Sequence, residues 1–502
     1  MLSAVVVGMH LTACSALLIF ALHRLWLLIE WALTKWNQGV TGTRSPRGAV
    51  LAAGQSTLLD TSAAANWNRV RRFVDGSAPF VTVQLPLYNE REVATRLLDA
   101  VAAFDWPRDR LEIQVLDDSD DDTGLRIDER AAVWRERGVK VDVLRRSSRA
   151  GFKAGALAHG TERAQGQFIA IFDADFVPQP DFLQAVMPAF DDQGIDMVQG
   201  RWGHLNRHHS WLTRAQSLFL DAHFAIEHQT RCWHGRFFNF NGTAGVWRKS
   251  AIARAGGWES VTLTEDLDLS LRAHIAGSRF LYLDDVEVPA ELPADARAFK
   301  SQQYRWAKGS VQTARRRLPA LWRSGLPLGV RIDATLKLFA LLLVTMPSLV
   351  FLRGVSLSEP VLPYAGFSLG MATLPAGVHF VLAQRVRQTS WFQCTLALPL
   401  AIGVGAALSL NNARAALEGL AGVGSEVFVR TPKQGDASSP VYRSERQPLT
   451  AAELVLGLLH LAAAVRLTGE GAWLASLFFW LFGVALTALS VASSSRQSTA
   501  IV

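Results

Sequence analysis

The sequence predicts an α/β fold: a mostly parallel sheet flanked by helices, joined to an α-helical membrane region with one N-terminal span and about four C-terminal ones. Three observations predict it. Strand-length apolar runs alternate with helical patterns over residues 79–290, as in a parallel sheet covered by helices. Nearly unbroken apolar stretches of membrane-spanning length lie at both ends of the chain. Carboxylates recur where strands should end, Asp117 and Asp118 after one run and Asp173 and Asp175 after another. In an open α/β sheet that edge is where ligands bind.

At 502 residues the chain has room for two or three domains, or for one domain and a membrane part. Its 49% hydrophobic content and positive mean hydropathy favour the second. A net charge of +7 suits anionic lipid headgroups. No zinc finger, helix-turn-helix or RNA-binding signature occurs, so nucleic acid is not an expected partner. The cysteines Cys14, Cys232 and Cys394 have no metal-ligand spacing and imply no disulfide framework, which suits a cytosol-facing catalytic part.

Taken in order, Val5 to Leu22 is an apolar stretch followed by His23, Arg24, Lys35, Arg44 and Arg47. That charge bias keeps the following segment cytoplasmic, and no cleavage pattern closes the stretch, so residues 1–36 are expected to form a retained anchor. Residues 37–78, rich in Gly, Ser, Thr and Ala, read as a linker with one short helix. The catalytic region is expected over 79–330. Phe80 to Leu85 is a strand, and Arg91 to Phe104 a helix with Val93, Leu97, Leu98 and Val101 on one face. Leu111 to Leu116 and Val139 to Leu144 are strands, Lys153 to Ala164 a helix, and Phe168 to Phe172 another strand. Apolar segments follow at Leu336 to Leu352, Val361 to Leu382, Thr395 to Leu410, Ala451 to Val465 and Trp473 to Val491. These give membrane or interfacial helices over 331–411, a polar loop over 412–450, and membrane helices over 451–502. If the catalytic region and the polar loop share one side, an even number of spans separates them. One of the three intervening segments is then interfacial or re-entrant, and the 391–420 segment, which runs into the amphipathic NNARAALEGL, is the choice.

Several side chains carry chemistry. Asp173 and Asp175 read either as holding a divalent metal beneath a nucleotide diphosphate or as a solvated turn closed by Pro178 and Pro180. Oxygen ligands of this kind suit Mg²⁺ or Mn²⁺. Asp117 reads alternatively as a base or ribose partner. A calcium-loop reading of Asp118, Asp120, Asp122 and Glu129 fails, because Thr123 stands where a sharp-turn glycine is needed. Lys153, near a helix N-terminus, makes a diphosphate cradle or is a solvated lysine. Thr264-Glu265-Asp266 opens a helix whose dipole keeps Asp266 ionised, so Asp266 is a general base for a sugar hydroxyl or only a helix-start acid. Gln302, Arg305 and Trp306 share a helix face that can hold a sugar, or the helix simply lies at the membrane surface. Thr431 and Lys433, in FVRTPKQG of the polar loop, can reach a phosphate. His204, His208 and His209 have no further ligand pattern for a transition metal.

QLPLYNE at 84–90, VLDDSDD at 115–121, GFKAGAL at 151–157, IFDADF at 171–176, FNGTAGVWR at 240–248, TEDLDLSLR at 264–272 and QQYRW at 302–306 occur in an order that resembles family 2 glycosyltransferases. The resemblance is to the processive membrane enzymes related to cellulose synthase. It is nearest the cellulose-synthase-like A group, the mannan and glucomannan synthases, and its bacterial relatives, and it spans roughly 79–440. It implies a GT-A-like fold and an inverting transfer of a hexose from GDP-mannose or UDP-glucose to a growing β-glycan. Asp117, Lys153 and Asp173 would bind the nucleotide sugar, and Asp173 and Asp175 the metal. Asp266 would be the base, Gln302, Arg305 and Trp306 would hold the acceptor, and Thr431 and Lys433 would lie in a gating loop, with Arg430 where the family usually has Val. The resemblance further implies a catalytic domain on the cytoplasmic face of the cell membrane, export of the polymer with or without a partner, and no C-terminal cyclic-dinucleotide-binding domain. Addition of one sugar to a membrane lipid is the competing activity, and a catalytically silent helper of another synthase is the competing class, against which intact Asp173, Asp175 and Asp266 argue.

Overall fold

A computed structural model describes residues 2–41, 49–52, 55–58, 78–339, 362–387, 390–423, 433, 435 and 449–494. The strands, in chain order, are β1 (Ala49–Ala52), β2 (Gln55–Leu58), β3 (Val81–Leu87), β4 (Leu111–Asp117), β5 (Val141–Leu144), β6 (Phe168–Ile171), β7 (Ile195–His204), β8 (Gly245–Arg248) and β9 (Arg279–Ala290). β1 and β2 form an antiparallel hairpin in the stretch expected to be a linker. The other seven form one sheet in the order β5-β4-β3-β6-β8-β7-β9.

The centre of that sheet follows from sequence. β3, β4 and β6 are buried along almost their whole length; β6 is a plain apolar run, whereas in β3 and β4 apolar residues alternate with the buried Thr82, Gln84, Glu112 and Gln114, whose side chains bond one another between the two strands. The helix Ala94–Ala102 turns Leu97, Leu98 and Val101 onto the sheet, as its periodicity predicts. β3 runs parallel to β4 and β6, with Leu87 opposite Asp117 and Gln84 opposite Ile171. The carboxyl ends of β4 and β6, and so Asp117 and Asp173, therefore come to one edge.

The sheet is mixed. β8 pairs antiparallel with both β6 and β7, while the remaining neighbours are parallel. β7 and β9 carried no clear strand signal for physical reasons. Gly200 and Gly203 interrupt β7, and Asp284, Asp285 and Glu287 sit inside β9, an edge strand with a partly exposed face.

The membrane part differs from the expectation of one N-terminal and about four C-terminal spans. Among the described residues three helices are long and apolar enough to cross a membrane: Leu11–Asn37, Thr450–Gly469 and Ser476–Ser494. Trp391–Ala407 and Ser409–Ala421 form a pair bent by 42°, either a broken span or a re-entrant segment. The second half of that pair carries Asn411, Asn412, Arg414 and Glu418 and packs against the helix Ala296–Arg323, with Asn411 bonding Lys300 and Glu418 bonding Lys308. The expected Leu336 to Leu352 segment lies largely outside the described residues.

One helix, Ala296–Arg323, joins the two parts. On the membrane side Lys300 and Glu453 form an ion pair, both fully buried, and Asn411 Nδ2 donates to the Lys300 carbonyl at 3.0 Å. Tyr304, Lys308 and Arg414 all bond Glu418. Breaking a buried pair strands a charge, so Lys300→Ala is expected to destabilise the protein by about 3–5 kcal/mol. Lys300→Met combined with Glu453→Leu should recover most of that loss. Thermal melts in detergent check both, and equal melting of wild type and Lys300→Ala would show that the pair contributes nothing.

Candidate active site

The carboxyl edge of the sheet opens into a cleft of about 1340 Å³. Its walls include Tyr88, Asp118, Arg149, Lys153, Asp173, Asp175, Asp266, Gln302, Arg305, Trp306 and Lys433. Residues separated by as much as 345 positions in the chain thus face one space.

Asp173 lies two residues past the end of β6, and its backbone N–H donates to Thr243 Oγ1 at 2.9 Å. Lys153 lies in the first turn of the helix Phe152–Arg163. Its ammonium is 2.6 Å from Asp173 Oδ1 and 3.8 Å from Glu265 Oε1, and it donates to the Gly242 carbonyl at 3.0 Å. Burial alone favours the neutral amine, but Asp173, Glu265 and Asp266 outweigh it and hold Lys153 more firmly protonated than an ordinary lysine. Lys153 is the positive centre around which three carboxylates are arranged.

Asp266 and Glu265 open the helix Glu265–Ile275. Leu267 and Leu271 bury against Phe237, Ala314 and Leu321, which leaves Asp266 at the mouth. Asp266 Oδ1 accepts from the Leu267 N–H at 2.8 Å. Burial, followed by the charge of Glu265, pushes the Asp266 carboxyl up to about 7, with Lys153 opposing. Burial also raises Glu265, again against Lys153. A carboxyl that ionises near neutrality is well matched to taking a proton from a hydroxyl.

The loop before β8 shapes the floor. Gly242 has φ +81°, and a Cβ there would lie 3.1 Å from Asp266 Oδ2 and 3.3 Å from Lys153 Nζ. Gly242→Ala is therefore expected to destabilise the fold by about 1–2 kcal/mol through backbone strain and to slow any reaction that uses Asp266. A detergent melt and a rate measurement on the same preparation check this; an unchanged melt and rate would mean that the loop relaxes freely.

Gln302, Arg305 and Trp306 come to the cleft on the helix Ala296–Arg323, which is held against the Asp266 helix. A Cβ at Gly309 would meet Thr264 Cγ2 at 2.5 Å, Gln312 Oε1 accepts from the Leu263 N–H at 3.0 Å, and Arg317 pairs with Asp268 at 2.6 Å. Burial lowers Arg305 to about 10, with Glu265 and Asp173 opposing. The guanidinium is thus still charged near neutral pH, in a poorly hydrated position.

The remaining sequence candidates are placed as follows. Asp117 is buried behind the wall. Arg145 Nε donates to it at 2.9 Å and the Ser119 N–H at 3.1 Å, while its neighbour Asp118 reaches the cleft, paired with Arg146. Lys433 enters from the polar loop, 2.6 Å from Asp175 Oδ2 and 3.3 Å from the Glu291 carbonyl. Thr431 lies outside the described residues. His204 reaches the cleft, but its ring contacts Asp221 at 3.3 Å, and His208 and His209 are exposed. Sequence reasoning did not single out Glu265, Arg149 or Glu291. Glu265 had a signal, its place beside Asp266 at a helix start, whereas Glu291 had none.

Among the described residues no three His, Cys, Asp or Glu side chains form a metal-binding group. Asp173 and Asp175 nevertheless suit a divalent ion that takes its other ligands from phosphates and water, since each sets a hard carboxylate oxygen on the cleft and already attracts a cationic side chain.

Residues 78–309 match the family described as Glycosyltransferase like family 2. Glucomannan 4-beta-mannosyltransferase 2 of Arabidopsis thaliana is 43% identical over 251 residues, covering 49% of this chain and 47% of that protein. Glucomannan 4-beta-mannosyltransferase 1 of Oryza sativa subsp. japonica is 43% identical over 253 residues, covering 49% and 48%. The match spans about half the length of these relatives. Among solved structures, mannosyltransferase PcManGT from Pyrobaculum calidifontis in complex with GDP-Man and Mn²⁺ aligns at TM-score 0.43 and 21% identity, over 69% of this chain and 94% of that one.

Proposed function

We propose that this chain, whose residues 78–309 are a glycosyltransferase family 2 domain, is a membrane hexosyltransferase that extends a β-glycan from a nucleotide sugar. The names of its relatives make mannose the first sugar to consider, with GDP-mannose or UDP-glucose as donor. The observation that carries the reading is the position of Lys153. Its ammonium lies between Asp173 at the end of β6 and Glu265 at the mouth of the Asp266 helix, so a diphosphate cradle and a base share one cleft.

The chemistry follows from the side chains. Gln302, Arg305 and Trp306 present an amide, a guanidinium and an indole to the acceptor sugar. Asp266 takes the proton of the acceptor hydroxyl, whose oxygen bonds to the anomeric carbon as that carbon's bond to the diphosphate oxygen breaks. A single displacement of this kind inverts the anomeric centre. Lys153 stabilises the negative charge that develops on the departing phosphate. Asp173 and Asp175 would hold Mg²⁺ or Mn²⁺, which when bound supplies further positive charge to the diphosphate. Asp117 supports the nucleotide end from behind Asp118. Lys433 meets the donor side of the cleft beside Asp175, and Thr431 is its proposed companion in contacting the donor. The catalytic domain sits on the cytoplasmic face of the cell membrane and passes polymer to the helices, alone or with an export partner.

The test offers membranes containing the protein GDP-mannose or UDP-glucose with Mg²⁺ or Mn²⁺. High polymer is expected. A one-sugar glycolipid would replace the polymerase reading with a lipid glycosyltransferase, and no transfer from any sugar nucleotide would overturn the enzyme reading.

A further inference from the structure

We propose that Arg149, laid flat on Tyr88 at the nucleotide end of the cleft, selects the nucleobase of the donor, its guanidinium edge reading the paired acceptors of guanine in preference to uracil. The inference rests on the cleft being a nucleotide-sugar site and adds which residue discriminates within it.

Tyr88 is held in place by its surroundings. It follows β3 directly, and the next residue, Asn89, has φ +56°. Asn89 Nδ2 donates to Asp120 Oδ1 at 2.7 Å, the Asp120 N–H donates to Asn89 Oδ1 at 3.0 Å, and the Asn89 N–H donates to Ser119 Oγ at 2.9 Å. The loops after β3 and β4 are thus latched together beside the ring. Arg149 comes from the turn before the Lys153 helix, and its guanidinium carbon lies 3.2 Å from the Tyr88 ring centroid and 5.1 Å from that of Phe152. Tyr88 and Arg149 both line the cleft.

Three arginines stand in this stretch, and two are committed. Arg145 bonds Asp117 and Asp128, and Arg146 bonds Asp118. The Arg149 guanidinium makes no hydrogen bond or ion pair with any described residue. Burial lowers its pKa, and the opposing influence of Tyr88, Asp118 and Asp120 does not offset it. A half-buried guanidinium with its face on an aromatic ring has its N–H edge left for a ligand.

The shape of that edge decides which ligand. A guanidinium fork donates two parallel hydrogen bonds to the O6 and N7 acceptors on one side of guanine. Uracil offers O4 beside the N3–H donor, so the same fork makes one bond there and faces a donor with the other. A bare phosphate would not need the tyrosine platform. Lys153, on Asp173, already serves the diphosphate.

Calorimetric titration of the full-length protein in detergent with Mn²⁺ tests this, using GDP, UDP and inorganic pyrophosphate. Arg149→Ala should weaken GDP about tenfold or more and UDP about threefold or less, leaving pyrophosphate unchanged, and Arg149→Lys should not rescue GDP because it lacks the fork. Tyr88→Leu, which removes the platform while keeping the arginine, should also narrow the GDP-to-UDP ratio. Equal losses for GDP and UDP, a loss for pyrophosphate, or no change would each overturn the assignment. Wild-type protein that binds neither nucleotide would overturn the reading of the cleft itself, whereas wild-type binding with an unaltered ratio in the variants overturns only the role of Arg149.

Discussion

Asp266→Asn should lower sugar transfer by about 10²–10⁴-fold while leaving nucleotide affinity within a few-fold of wild type. Asparagine fills the same space and still accepts from the Leu267 N–H, so the helix mouth survives and only the proton acceptor is lost. The wild-type rate carries the same signature in its pH dependence. The folded carboxyl is raised to about 7, so the base is protonated below that value and free above it. The rate should therefore rise with pH through about 7 and level off above it. A substituted enzyme with full activity, or a wild-type profile flat from pH 5 to 8, would remove Asp266 from this role.

Lys153→Met should have the second largest effect, about 10²–10³-fold on transfer. It removes the charge facing the departing phosphate and also the counter-charge of Asp173, Glu265 and Asp266. The second loss has a direction that can be measured. The ammonium opposes the rise in the Asp266 carboxyl, so without it that carboxyl rises further. Residual activity in Lys153→Met should therefore climb at a higher pH than in wild type. Asp266→Asn and Lys153→Met are thus separable: one lacks the limb that rises with pH, and the other has that limb displaced. An undisplaced limb in Lys153→Met would mean that Lys153 acts on the donor alone.

The parts of the fold legible in sequence were those whose signal is local. β6 reads as a plain apolar run, β3 and β4 as strand-length runs in which apolar residues alternate with polar ones, and the Asp266 helix announces itself by leucines at one-turn spacing. The strands beyond β6 were hidden, because an edge strand such as β9 carries acids that its partly exposed face tolerates. The site was legible where a motif coincides with the end of an element, at Asp173 and Asp175 after β6 and at Lys153 in the first turn of a helix. Distant partnerships were not. That Lys433 would meet Asp175, 258 positions away, or that Asp118 and not Asp117 would face the cleft, depends on tertiary contacts that no local pattern records. The number of spans was equally beyond composition, since a polar helix such as Ser409–Ala421 continues an apolar one across a bend.

The helix Ala296–Arg323 acts as a fixed ruler between chemistry and membrane. Lys300 pins it to the helix Thr450–Gly469, and Gly309 seats it on Thr264 at the start of the Asp266 helix. Nine residues at helical rise set these two anchor points about 14 Å apart along the axis. One anchor is a buried charge pair, and at the other the Thr264 side chain lies so close to Gly309 that a Cβ there would meet it at 2.5 Å. One residue added between them would turn the anchors about 100° out of phase as well as lengthening the rod. Gln302, Arg305 and Trp306 lie on that stretch, so the depth at which an acceptor end is gripped is set by the same short rod, and tilting the membrane helix would carry those three side chains with it.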